Sequence, residues 1–362
     1  MKKTQLVITL SLGMLTFQSV IANETKTDII YGEDNRIETY QANKQLQKLA
    51  ASTAGMINTI KTIKVGKNTM LPPYTISDDM GLCETERFAD QPSAVSCSGF
   101  LVGPDLLVTA GHCIQTQKDC DDVTWVFDYK VKSDSEKTDI LVPSKDTYKC
   151  SKVIESKLFS SYTLKKDYAL IKLDRVVKGR TPLKFRTSGK VALKTDLTVI
   201  GHPSGLPQKV GGGAKVLSNG HDNYFKTNLD TFGGNSGSAV FNTKTGLVEG
   251  ILVRGAKDYD KVGGCLKVHK TTEEITDFKK YGEAVTRISE ITTLKNRGLL
   301  FKAIEDGDIE KVKELGKVLK EISIYDNNME NALHVAIKSQ NDEITKAIIS
   351  LGIDINAKNL LG

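Results

Sequence analysis

Between Ser93 and Val253 the sequence shows eight short β-like runs, 94–102, 106–109, 123–127, 152–154, 168–173, 197–200, 239–241 and 247–253, most of them bounded on at least one side by Gly, Asn or Asp. Short runs punctuated by turn residues read as β-strands, and this spacing argues for an all-β domain. From Leu300 the pattern changes to a helical one that repeats at an offset of 33 residues. Leu300-Phe301-Lys302-Ala303-Ile304 aligns with Leu333-His334-Val335-Ala336-Ile337, and Glu310, Lys313 and Leu315 align with Glu343, Lys346 and Ile348. A chain of 362 residues is long enough for two domains of about 100–200 residues each, and these two periodicities divide it.

Chemistry concentrates in Asp230 to Val240, DTFGGNSGSAV. A serine set between glycines, Gly234-Asn235-Ser236-Gly237, suits a tight turn that exposes a hydroxyl while backbone N–H groups point into the same space. The N–H groups of Gly234 and Ser236 are the expected oxyanion donors, each worth about 3 kcal/mol to a transition state. A serine hydroxyl needs a histidine to take its proton, and the histidine needs a carboxylate to fix its tautomer. His112, in Leu107-Val108-Thr109-Ala110-Gly111-His112-Cys113, and Asp167, in Lys166-Asp167-Tyr168-Ala169-Leu170-Ile171, supply both upstream. His202, His221, His269 and His334 carry no such context and are expected to be structural.

LVTAGHC, DYALIKL and GNSGSAV, in that order, resemble the chymotrypsin-like (trypsin-like) serine peptidases. Asn235, where digestive members carry Asp, is similar to the bacterial glutamyl endopeptidase branch. The resemblance implies an all-β double six-stranded barrel over residues 93–293, with His112 and Asp167 from the first barrel and Ser236 from the second. It implies hydrolysis of a protein or peptide substrate through an acyl-enzyme, with no cofactor. A bridge Cys97–Cys113 holding the histidine loop is carried over from the family; closing such a loop is worth about 3 kcal/mol. Cys83, Cys120, Cys150 and Cys265 allow three pairings, of which Cys83–Cys265 with Cys120–Cys150 is one. No CxxC or HExxH occurs, so no metal site is expected.

Specificity departs from the glutamyl branch. The histidine that recognises glutamate in that branch stands two residues past a Gly-Ile pair, and here Gly250-Ile251 is followed by Leu252. Asp230, six residues before Ser236, stands where trypsin-like members place the acid of their pocket. With Thr231, Leu252, Arg254 and Gly255 it makes the expected substrate-binding set, and a carboxylate there favours Lys or Arg by Coulomb attraction. Arg254 could instead neutralise Asp230. The strand 247–253 with Arg254-Gly255 is expected to pair with the substrate backbone as an added strand.

Met1-Lys2-Lys3, an apolar run from Leu6 to Phe17 and Val20-Ile21-Ala22 read as a signal peptide, 1–22. The run is shorter than the about 20 residues that a bilayer requires, so an exported chain with no membrane segment is expected, secreted or periplasmic. Six cysteines fit an oxidising compartment. Residues 23–92 read as a leader and the start of the peptidase domain, with a mature start near Ile29, and Gln45 to Ile60 show a helical period. Lys130 to Lys149 and Pro203 to Gly213 read as loops. A net charge of +6 is too mild to imply nucleic acid.

The 33-residue period, with Asn331-Ala332-Leu333-His334-Val335-Ala336, resembles ankyrin repeats, two of them in 297–362. Each repeat buries its apolar face only against a neighbour, so a pair either continues into further repeats or docks on the peptidase domain. The repeats imply a protein partner. A protein-binding factor that uses the peptidase domain as a scaffold is the alternative to an enzyme.

Overall fold

The computed structural model describes residues 30–135, 140–160, 165–255, 258–271, 282–319, 324–353, 355–356 and 358. The expected signal peptide and Ile29 lie outside them. Six strands, β1 (Thr53–Asn58), β2 (Cys97–Leu101), β3 (Leu106–Thr109), β4 (Val123–Phe127), β5 (Thr147–Ser160) and β6 (Lys165–Leu173), close into an antiparallel barrel in the order β1-β4-β5-β6-β3-β2. Six more, β7 (Asp196–Gly201), β8 (Lys209–Ser218), β9 (Tyr224–Thr227), β10 (Ala239–Asn242), β11 (Val248–Arg254) and β12 (Glu283–Arg287), close in the order β7-β10-β11-β12-β9-β8. The two orders are the same. The architecture is therefore two six-stranded antiparallel barrels of the chymotrypsin-like kind, followed by helices.

Alternation along each strand sends one set of side chains into its own barrel and the other set between the barrels. Leu101, Leu107, Trp125, Phe127 and Ile171 fill the first barrel, and Leu197, Phe225, Val240, Leu252 and Val285 fill the second. Phe100, Val108, Tyr168, Ile200, Phe241 and Ile251 face outward from both into a shared apolar cluster. Because both faces are buried, strands such as Leu106–Thr109 are apolar at consecutive positions. Three disulfides form, Cys97–Cys113, Cys83–Cys265 and Cys120–Cys150, so that one of the three open pairings is realised.

Three segments differ from the sequence reading. Gln45 to Ile60 is not one helix: a helix α1 (Lys44–Ala50), capped by the Asn43 side chain, gives way to β1. The helical period ran on through Ala54 and Ile57, but these positions face strands on both sides, with Gly55 tight against Val95 and Ile60 left exposed. Pro203 to Gly213 is a loop only in its first half. Lys209 begins β8, which pairs with Arg36–Glu38 and β7, and its three glycines had hidden the strand because they carry no side-chain pattern. Within 130–149, Leu141–Pro143 is a strand and Thr147 begins β5, whereas 136–139 lie outside the described residues.

The C-terminal region forms two helix pairs, α2 (Thr292–Asp306) with α3 (Ile309–Leu319) and α4 (Ala332–Lys338) with α5 (Asp342–Ser350). Leu300, Ala303, Leu333 and Ala336, the repeated positions, are buried together. This module docks on the barrels. Leu294, Leu300 and Phe301 share one apolar cluster with Leu183, Phe185 and Val102. Arg297 is buried, donates from Nη1 to the Val102 carbonyl at 2.8 Å, and lays its guanidinium 4.8 Å over the Phe185 ring. Burial lowers its pKa to about 10.

Candidate active site

After β3 the chain turns through Ala110-Gly111 into His112. A Cβ on Gly111 would lie 2.2 Å from the Lys157 carbonyl oxygen and 2.9 Å from the Tyr168 nitrogen. Only glycine lets the turn press against β5 and β6 so closely. That approach brings His112 onto Asp167 of β6: the His112 N–H donates to Oδ1 at 3.0 Å, and Nδ1 sits 2.9 Å from Oδ2. A carboxylate oxygen accepts, so Nδ1 carries the proton in this contact and Nε2 does not. The Cys97–Cys113 sulfurs lie close to the imidazole, and because they are bonded to each other this group offers no thiolate to a metal.

Ser236 stands on a turn of irregular backbone. Gly234 and Gly237, on either side, have φ of 86° and 89°, a region costly for residues with a Cβ. The Asn235 N–H donates to the Phe232 carbonyl, and the Ser238 N–H to that of Asn235, at 2.8 Å. Gly237 N–H donates to the Leu252 carbonyl at 2.7 Å, tying the turn to β11. From the first barrel, Ser98 N–H donates to the Ser236 carbonyl and Ser98 Oγ to the Gly234 carbonyl, both at 2.8 Å. Cys113, next to His112, has its Sγ 3.8 Å from the Ser236 carbonyl oxygen. The backbone of Ser236 therefore meets the first barrel at Ser98 and at Cys113, the neighbour of His112. Among the described residues no acceptor stands on the N–H of Gly234 or of Ser236. Sequence reasoning missed Ser98, whose signal is only a small polar residue between Cys97 and Gly99.

The expected pocket residues separate into two groups. Asp230 is buried and already used: Oδ1 accepts from the Tyr31 N–H at 2.9 Å and Oδ2 from the Asn35 N–H at 3.1 Å. Burial raises its pKa, against those two bonds, to about 6. It anchors an N-terminal hook in which Ile30–Tyr31 pairs with Lys270–Thr271 and Arg36 covers the Phe232 ring at 4.1 Å. Thr231 turns the other way, its Oγ1 donating to Glu283 Oε2 at 2.7 Å. Leu252 is buried in β11, while Gly255 is exposed just beyond that strand. The side chain of Arg254 lies outside the described residues.

Behind Asp167 the site is braced by the junction with the helices. Lys166 pairs with Glu290 at 3.2 Å. The Tyr168 hydroxyl donates to Glu155 at 2.7 Å, and the same carboxylate accepts from the N–H groups of Thr292 and Thr293 at the start of α2. Burial pushes the Glu155 pKa up, but these donors outweigh it and hold the carboxyl below its usual range. A cleft of about 700 Å³ opens at this junction, lined by residues such as Phe185, Lys295, Gly298 and Phe301, and it includes none of His112, Asp167 and Ser236.

His202, expected to be structural, is fully buried on the second-barrel side, stacked on Tyr129 with Nδ1 3.0 Å from the Leu206 carbonyl oxygen. Burial lowers its pKa to about 4.

Residues 97–251 match the family described as trypsin-like peptidase domain, and residues 277–359 match ankyrin repeats in three copies. Similar solved structures include the VesB protease of Vibrio cholerae, 14% identical over 75% of this chain and 68% of that one with a TM-score of 0.44. A Glu endopeptidase is 17% identical over 75% of this chain and 99% of that one with a TM-score of 0.40. No curated protein matches the chain. The chain thus carries a trypsin-like peptidase domain followed by ankyrin repeats. Among the described residues no helix is long and apolar enough to cross a membrane, and the three disulfides fit an extracellular or periplasmic setting.

Proposed function

We propose that a chain which joins a trypsin-like peptidase domain to ankyrin repeats acts as an exported serine endopeptidase, with Ser236 as nucleophile, His112 as general base and Asp167 as the group that orients the imidazole. The observation that carries this reading is the double hydrogen bond of Asp167 to His112, N–H to Oδ1 at 3.0 Å and Nδ1 to Oδ2 at 2.9 Å. With Nδ1 committed to the carboxylate, Nε2 is the imidazole nitrogen that can take a serine proton. Ser236 attacks the scissile carbonyl, His112 takes its proton and returns it to the leaving amine, and Asp167 stabilises the imidazolium. The N–H groups of Gly234 and Ser236 receive the charge that develops on the carbonyl oxygen. Water then repeats the sequence on the ester. The helical module, held against the back of the Asp167 strand, recruits a protein partner or substrate.

The test is a digest of a mixed peptide library by the wild type and by Ser236→Ala. Cleavage by the wild type that disappears in the variant supports the reading, and cleavage that persists in Ser236→Ala overturns it.

A further inference from the structure

An antiparallel sheet that packs on a core by one face usually turns polar residues outward on the other. The three-stranded sheet beside the first barrel, Ile63–Val65, Asn68–Met70 and Leu141–Pro143 in that order, does not. Directly opposite residues share a face, so Thr69 and Val142 point one way while Ile63, Met70 and Leu141 point the other. Thr69 and Val142 are buried, Val142 within a cluster that includes Leu71, Val126 and Tyr129. Ile63, Met70 and Leu141 are 56%, 37% and 45% exposed, and they form one row across all three strands. Val65, two residues on from Ile63 and so on the same face, is 50% exposed, and Ile60, just ahead of the sheet, is 87% exposed. Lysines rim the row. Lys61, Lys64 and Lys67 are exposed, and no Asp or Glu occurs from Ile57 to Ser77. Lys145, also exposed, stands next to Lys67, because the Ser144 N–H donates to the Lys67 carbonyl at 2.9 Å. The acid that follows it, Asp146, is buried and held by Arg180 at 2.7 Å. Among the described residues none of these four lysines is paired with an acid.

We infer that this face docks on an anionic lipid surface, with the aliphatic row entering the headgroup layer and the lysines meeting lipid phosphates. An aliphatic face bordered by cations, with no acid among them, matches an interface that is negative at its surface and apolar just beneath. Size points the same way. Three strands span about 10 Å and three residues run about 7 Å, far less than the about 800 Å² that each partner gives to a stable protein interface. A second copy of the chain laid on this face would also bring lysines onto lysines with no acid to offset them. His112, Asp167 and Ser236 take no part in the sheet, so the inference stands independently of the peptidase reading.

The experiment is flotation of the full chain with vesicles of phosphatidylcholine alone or with about one-third phosphatidylglycerol, at about 0.1 M and about 0.5 M salt, which screens charge over a shorter distance. The expected result is binding to the anionic vesicles alone, weakened at the higher salt. Lys61→Gln, Lys64→Gln and Lys67→Gln together lower the affinity by about 100-fold, as three lysines near a charged surface would. Ile63→Ser with Leu141→Ser lowers it by about 10-fold through lost apolar burial. Lys313→Gln, Lys317→Gln and Lys346→Gln, on the helical module, change the net charge equally and leave binding as it was. A wild type that ignores anionic vesicles overturns the inference, and that result needs no variant to fold. Equal losses in the two triple variants also overturn it, because attraction would then follow net charge and not this face. So does a dimer in solution that Ile63→Ser with Leu141→Ser dissociates while vesicles are not bound, which assigns the face to a second copy.

Discussion

The two barrels share one circular strand order and differ in how they hold their part of the site. In the first, His112 and Asp167 are fixed by regular structure: the β6 strand, a single tight glycine, and two disulfides that close short loops of sequence separation 16 and 30. In the second, Ser236 is fixed by irregular backbone, with two glycines at positive φ, a hook from the N-terminal segment, and one disulfide across a separation of 182. In the proposed reading the base needs only orientation, which a strand supplies. The proposed nucleophile has to present a hydroxyl and two N–H groups to one point, which regular β-structure does not allow because its N–H groups alternate in direction. The same topology therefore serves as a regular holder on one side and as a frame for an irregular turn on the other.

The largest effects break the chemistry across the two barrels. Ser236→Ala and His112→Ala should each lower kcat by about 10⁶, and Asp167→Ala by about 10⁴, because the orienting group is the least costly to lose. Steady-state kinetics on a peptide amide measure this. A loss at Asp167 as large as that at Ser236 would show that the first barrel does more than orient.

Gly237→Ala sets irregular backbone against regular packing. The new Cβ would meet the Ser98 carbonyl oxygen at 2.0 Å at a φ of 89°, so neither neighbour nor backbone can yield. A loss above about 3 kcal/mol is expected, as strain and overpacking add. Gly99→Ala, in the first barrel, meets side-chain atoms of Leu107 and Trp125 at 2.6 and 2.7 Å and the Val108 carbonyl oxygen only at 3.0 Å, so most of the crowding falls on side chains, for a cost of about 1–3 kcal/mol. Equal losses in urea unfolding would remove the distinction drawn between the barrels.

Acid separates the barrels as well. His202, on the second-barrel side, is depressed to about 4 from an ordinary value of 6.5. Its unfolded form takes up a proton first as pH falls, so stability present above pH 6.5 is lost towards pH 4, by roughly 3 kcal/mol. Asp230 works in the opposite sense: raised to about 6, it is protonated first in the folded state, which gains stability as pH falls from about 6 towards 4. Replacing His202 by Gln isolates the first term, and the stability gap between wild type and variant should narrow by that amount between pH 6.5 and 4. A gap that does not change with pH would mean that His202 is charged when folded.

The smallest expected effect concerns the helical module. Arg297→Ala removes its bond to Val102 and its stacking on Phe185, a loss of about 2 kcal/mol in line with a buried charged donor. The wild-type helices are expected to unfold with the barrels in one transition, and the variant should show an earlier, separate loss of helix by circular dichroism. Two transitions already present in the wild type would mean that the module does not lean on the barrels.

Sequence made the site legible where chemistry and local geometry coincide. His112, Asp167 and Ser236 each lie in a short pattern whose glycines and flanking apolar residues have local reasons, and the 33-residue offset exposes the helix pairs in the same way. What stayed hidden depends on partners distant along the chain. The sign of the β1 segment was lost because Ala54 and Ile57 continue a helical period, and only flanking strands decide otherwise. The triple glycine of β8 gives no alternation to read. Asp230 holds the position of a pocket acid, but its partners are the backbone of Tyr31 and Asn35, far upstream. The strand β12, Glu283–Arg287, was announced by no apolar run, because its pairing with β9 and β11 is made far along the chain.

The central claim, that a serine of the second barrel is activated by a histidine of the first, is tested most directly by intact-mass analysis of the folded chain after exposure to a fluorophosphonate. The account predicts one adduct, mapped to Ser236, that is absent in Ser236→Ala and strongly slowed in His112→Ala. An unmodified protein, or an adduct that forms as fast without His112, would contradict it.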